Sequence, residues 1–162
     1  MTILRTLLCI TFLGLSSMAM AQGTQVAFGA IQQDTSAPVE VTADELNVDQ
    51  ATGEAIFTGN VVIGQGEMRL SAARVVVIYQ EDSDGIERLE ATGGVTLVSG
   101  PDAAESQRAD YNIESGVIVM TGDVLMAQGR SAISADRMTV DLNGGTARMQ
   151  GRVKTILQAG NN

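Results

Sequence analysis

A short unit, Thr/Gln-Gly-x-Val, recurs four times and constrains the fold more than any other feature. It stands at Thr58-Gly59-Asn60-Val61, Thr92-Gly93-Gly94-Val95, Thr121-Gly122-Asp123-Val124 and Gln150-Gly151-Arg152-Val153. The glycines at 59, 93, 122 and 151 are 34, 29 and 29 residues apart. A second unit, Ala-Asp/Arg followed by alternating apolar residues, starts at Ala43-Asp44, Ala73-Arg74, Ala109-Asp110 and Ala135-Asp136. Two interleaved units at one period of about 30 residues define an internal repeat. Each repeat is then one supersecondary unit that buries its apolar face against its neighbours.

Inside the repeats the apolar period is two. Leu46 and Val48 alternate with Asn47 and Asp49, and Met68 and Leu70 with Glu67 and Arg69. Phe57, Val61 and Ile63 share one parity; so do Tyr111 and Ile113, and Met138, Val140 and Leu142. Side chains alternate between the faces of a strand, so this is the pattern of half-buried strands. The separators are turn chemistry: Gln50-Ala51-Thr52-Gly53, Asp82-Ser83-Asp84-Gly85, Glu114-Ser115-Gly116 and Asn143-Gly144-Gly145. The excess of 18 Gly over 2 Pro fits tight turns. The pattern predicts an all-β fold of about 9–12 short strands, stacked into a β-solenoid or an elongated jelly roll.

The N-terminus reads as an address. Arg5, the apolar run Leu7–Leu15 and Ala19-Met20-Ala21 form a secretory signal peptide over residues 1–21, cleaved after Ala21. The run is too short to span a bilayer. Residues 22–37 carry little charge and no sustained periodicity and are expected to be a disordered leader. The β domain is expected over residues 38–157, with 158–162 as a C-terminal tail. The one cysteine, Cys9, lies in the expected signal peptide, so a disulfide framework is excluded and a bacterial periplasm fits the exported chain.

Composition excludes several functions. Histidine is absent, which removes His-based triads and His-ligated metal sites within the chain. A net charge of −9 opposes binding to nucleic acid. Asp82-Ser83-Asp84-Gly85 resembles a calcium loop only in its first positions and is read as a hairpin turn. No phosphate-binding Gly-x-x-x-x-Gly-Lys-Ser/Thr motif occurs. The chain is expected to be no enzyme and to carry no catalytic residue, metal or cofactor.

The run Pro38-Val39-Glu40-Val41-Thr42-Ala43-Asp44-Glu45-Leu46, with Phe57-Thr58-Gly59-Asn60-Val61, Gln65-Gly66 and Leu70-Ser71-Ala72, resembles the start of an OstA-like domain. Ala109-Asp110-Tyr111 and Val119-Met120-Thr121-Gly122-Asp123-Val124 resemble its second half. The domain is that of the LptA family of periplasmic lipopolysaccharide-transport proteins. The resemblance implies an open β-jelly roll whose apolar interior shields the acyl chains of lipid A. It further implies OstA-like transport components of the inner and outer membranes as partners, and a carrier rather than an enzyme. The lipid-facing positions it implies are Val39, Val41, Leu46, Val48, Phe57, Val61, Ile63, Met68 and Leu70 in the first half. Val95, Leu97, Tyr111, Ile113, Val124, Met126, Met138 and Val140 follow in the second. The residues alone leave open a dry-cored β scaffold that binds other proteins and no lipid.

The ends of such a sheet carry unpaired strand edges, which invite another chain. Val39 and Val41 lie on the first strand, and Val153, Thr155 and Leu157 on the last. One end meeting the other propagates head to tail.

Overall fold

The computed structural model describes residues 23–29 and 34–157. The expected signal peptide and the tail 158–162 lie outside the described residues. Eleven strands are present among them: β1 (Thr24–Ala27), β2 (Glu40–Thr42), β3 (Glu45–Asp49), β4 (Glu54–Gln65), β5 (Met68–Tyr79), β6 (Ile86–Ser99), β7 (Asp102–Asn112), β8 (Val117–Gln128), β9 (Ser131–Asp141), β10 (Thr146–Gln150) and β11 (Lys154–Ile156). They form one antiparallel sheet in the order β1-β10-β9-β8-β7-β6-β5-β4-β2, with β3 also on β4 and β11 also on β9. The sheet does not close on itself. The all-β, open architecture is the expected one, but β4 to β9 are long, with 11 to 14 residues each.

The Thr/Gln-Gly-x-Val units explain that length. The first three do not end strands but bend them, and the fourth separates β10 from β11. At Gly59-Asn60, Gly93-Gly94, Gly122-Asp123 and Gly151-Arg152 both residues have positive φ, between 40° and 87°. Within β4, β6 and β8, two residues face one on the neighbouring strand, which is a β-bulge. Asn60 stands where the bulge needs a left-handed residue, and its Nδ2 donates to Asp44 Oδ2 at 2.8 Å. Arg152 is paired likewise, its Nε 2.9 Å from Asp136 Oδ1. That guanidinium holds the Asp136 carboxyl below its ordinary pKa. Asp44 and Asp136 thus oppose bulges as the repeat suggests. At the other two bulges Gly93 and Gly122 lie against Ala73 and Gln107, so Ala73-Arg74 is one position out of register and Ala109-Asp110 three.

The bulges lie on a line that divides the sheet. On one side Leu46, Phe57, Val75, Ala91, Ala109, Met120, Met138, Met149 and Thr24 are successive cross-strand partners. On the other side the succession is Val41, Ile63, Leu70, Leu97, Ala104, Met126, Ile133 and Thr155. The inward residues of both half-sheets belong to one apolar cluster. The sheet is therefore folded along the bulge line, with the half-sheets facing each other.

The leader expectation requires correction. Within residues 22–37, Thr24–Ala27 is a strand paired with Thr146–Met149, and Phe28 is only 2% exposed. Val26 and Phe28 share a parity, so the segment offers the core an apolar edge that its small polar neighbours obscure.

Candidate lipid-binding interior and strand edges

Alternation places the inward residues, and the bulges keep them inward across the fold. On the bulged strands Phe57 and Val61, and Ala91 and Val95, are four residues apart and both inward either side of the bend, whereas on β5 Ala72 and Val75 are both buried only three apart. Val61, Ile63, Met68, Leu70, Val95, Leu97, Tyr111, Val124, Met126, Met138 and Val140 are all buried in the core. Val39, Val41, Phe57 and Ile113 are half-buried against it.

Leu46 and Val48 differ from the expectation. They pair with Phe57 and Ala55, which fixes their inward parity, yet they are 54% and 59% exposed. β3 is an edge strand and no strand among the described residues covers its inner side, so parity alone does not bury them. At the other end Val153, Thr155 and Leu157 are exposed, Leu157 by 74%. The structure therefore leaves apolar side chains uncovered at both ends of the sheet.

Several interior residues escaped the sequence reading. Val75 and Val77 lie in the apolar run Val75-Val76-Val77-Ile78, where alternation is masked. Leu89, Ile118, Met120 and Met149 are fully buried, and their alternation was legible. The small residues Ala72, Ala91, Ala104 and Ala109 line the interior too, a place their size does not announce. The lining is aliphatic and rich in Met, whose flexible thioether accommodates varied apolar neighbours.

Polar groups do enter this face, on the row of the second half-sheet farthest from the bulges. Gln65, Ser99 and Asp102 are buried there, with Gln128 beside them. Tyr111 Oη donates to Gln65 Oε1 across the core. Burial pushes the Tyr111 phenol up to about 12. Gln65 Nε2 donates to the carbonyls of Thr35 and Ala37 at 2.8 and 3.0 Å. Asp102 Oδ2 accepts from Gly29 N–H at 2.8 Å and from Gln128 Nε2 at 3.1 Å.

The outer face is charged. Arg108 bridges Glu90 at 2.9 Å and Asp110 at 2.8 Å across β6 and β7. These carboxylates push the guanidinium pKa upward. Exposed pairs of this kind contribute little to stability. Asp82-Ser83-Asp84-Gly85 is the turn between β5 and β6, closed by Gln80 N–H donating to Gly85 O at 2.8 Å. Among the described residues no three acidic side chains converge as a metal site would require.

The described residues thus form an open antiparallel sheet folded over an aliphatic interior, with apolar side chains exposed at both of its ends. Residues 40–146 match the family described as LptA/(LptD N-terminal domain) LPS transport protein, and the chain belongs to that family. It is a family of transport proteins, not enzymes. The chain is 28% identical to the lipopolysaccharide export system protein LptA of Haemophilus influenzae, over 88% of each chain. It is 26% identical to LptA of Escherichia coli K12, over 68% of this chain and 63% of that one. The chain thus spans a little under two thirds of the Escherichia coli protein. Its fold resembles the crystal structure of LptH, the LptA-homologous periplasmic component of the lipopolysaccharide transport device of Pseudomonas aeruginosa. The TM-score is 0.69 at 17% identity, covering 78% of this chain and 99% of that one.

Proposed function

We propose that the chain is a periplasmic carrier that shields the acyl chains of lipopolysaccharide on their way from the inner to the outer membrane. The observation that supports this most is the unbroken inward row from Val41 through Ile63, Leu70, Leu97, Ala104 and Met126 to Ile133. Exposing an acyl chain to water costs about 0.8 kcal/mol per methylene, so a twelve-carbon chain costs on the order of 10 kcal/mol. An aliphatic trough removes that cost at every step. Its repeated lining offers successive places of similar affinity, which is what sliding needs.

Signal-peptide cleavage after Ala21 delivers the carrier to the periplasm. The bare edges β2 and β3 at one end, and β11 at the other, favour head-to-tail joining. Main-chain pairing would extend the trough from copy to copy, or into OstA-like domains of membrane-bound partners. The positions that face cargo are the buried ones above together with Val39, Val41, Phe57 and Ile113.

A dry scaffold is the second reading, favoured by the near-zero exposure of Ile63, Leu97, Ile118 and Met126. Mass spectrometry of lipid co-purifying with the chain from its native periplasm separates the two. Bound lipopolysaccharide is the expected result; a lipid-free protein contradicts the carrier.

A further inference from the structure

β1 and β2 are consecutive, yet they sit at opposite ends of the strand order. The described residues between them lie along the seam where the turn ends of the half-sheets meet. Phe28 N–H donates to Gly145 O of the first half-sheet at 3.1 Å, and Thr35 Oγ1 to Asn143 Oδ1 at 2.8 Å. On the second half-sheet the polar row holds the same stretch: Asp102 takes Gly29 N–H, Gln128 Nε2 reaches Ala27 O at 3.1 Å, and Gln65 donates to the Thr35 and Ala37 carbonyls.

This arrangement has the chemistry of a bound amphiphile. One apolar group, the Phe28 side chain, is sunk in the aliphatic core. Beside it, amide N–H and C=O groups are met at the rim by Asp102, Gln128 and Gln65. They share the inner face with buried Ser99 and Ser106, and besides the Tyr111–Gln65 and Gln128–Asp102 bonds they bond to this segment. The interior is already packed, so a long acyl chain needs some part of it vacated. The N-terminal segment is the part held by a few side-chain bonds and one short strand, not by two flanking ladders.

We infer that the seam rim formed by Asp102, Gln128 and Gln65 is a binding site for the amide-bearing part of an N-acylated amphiphile, and that the segment around Phe28 occupies it as an internal stand-in. The inference rests on the carrier reading and specifies which part of the cargo touches the protein. Asp102 presents a carboxylate oxygen, which accepts a hydrogen bond and repels an anion. The group it takes is therefore an amide N–H or a hydroxyl, and cargo phosphates lie away from the rim. Entry of the acyl chain displaces Phe28, and the ligand amide replaces Gly29 N–H on Asp102.

Two soluble probes of equal chain length test this on the full exported chain, each below its micelle concentration: N-dodecanoyl-glucosamine and dodecyl phosphate. The wild type is expected to favour the N-acyl probe about tenfold, the scale of one hydrogen bond to a charged group. The N-acyl probe also accelerates hydrogen exchange at the amides of residues 24–29. Asp102→Leu brings the two probes to within about threefold. Phe28→Ala, which weakens the stand-in without touching the rim, tightens both probes and keeps the preference. Equal binding of both probes to the wild type overturns the inference, as does unchanged exchange at residues 24–29. Exchange accelerated by raised protein concentration but by neither probe also overturns it, and assigns the segment to protein association. If neither probe nor lipopolysaccharide binds, the carrier reading itself fails.

Discussion

Tyr111 on β7 and Gln65 at the end of β4 are joined across the core, hydroxyl to side-chain carbonyl, although 46 residues separate them and they belong to opposite half-sheets. Their bond fastens the fold of the sheet, and through Gln65 Nε2 it reaches the N-terminal segment. Tyr111→Phe keeps the ring and leaves a buried carbonyl oxygen without its donor. The expected cost is about 1–3 kcal/mol, read as a lowered urea midpoint at an unchanged slope.

The same residue gives the protein an alkaline limit. Burial raises the Tyr111 phenol from 10.0 to about 12. The folded state holds this proton more tightly than the unfolded state does. Its stabilising contribution is therefore complete below pH 10 and is lost as pH rises toward 12. Thermal melts between pH 9 and pH 12 should show a decline that is shallower in Tyr111→Phe.

Neighbouring glycines in one bulge should respond differently. Gly93 and Gly94 have φ of 87° and 84°. A Cβ on Gly93 would lie 2.7 Å from Ala73 Cβ, whereas one on Gly94 meets nothing within 4 Å. Gly94→Ala carries the conformational cost alone, about 1–2 kcal/mol. Gly93→Ala adds a clash and should exceed it by about 1 kcal/mol or more, as overpacking does. Equal chemical-denaturation midpoints for the two variants would show that the bulge does not need this close approach.

Leu46 and Ile63 share inward parity but not surroundings. Ile63→Asp places a carboxylate where exposure is 0% and should abolish folding or cost several kcal/mol. Leu46→Asp, at 54% exposure, should change stability by roughly 0.5 kcal/mol or less. If β3 is a joining edge, Leu46→Asp instead lowers self-association in sedimentation across a concentration series. A monomer at every concentration in the wild type would leave a shuttle rather than a bridge.

Much of the fold was legible because alternation and turn chemistry are local. Met138 and Val140 announce an inward face by spacing, and Asn143-Gly144-Gly145 announces the turn that follows. The meaning of Thr121-Gly122-Asp123-Val124 was not local. A bulge shows itself only when two residues are counted against one partner, here Asp136, so long bent strands were read as short ones. Leu46 and Val48 keep the inward parity that alternation predicts yet stand exposed, because parity names a face but not what stands opposite it. Asp102 and Gln65 were passed over because a polar residue at an inward position looks like an outward one. The Phe28 segment reads as disordered because Val26 and Phe28 are too few to make a period.

The central claim is that the inward face meets acyl chains and the outward face does not. Photo-crosslinking in the native periplasm tests it most directly, with the reactive side chain placed at half-buried rim positions that tolerate substitution. Val41 and Ile113 face the interior, and Glu40 and Asn112 are their exposed neighbours. Lipopolysaccharide captured at Val41 and Ile113 but not at Glu40 and Asn112 is the predicted result. Equal capture at all four positions, or none at Val41 and Ile113 in a folded protein, would contradict it.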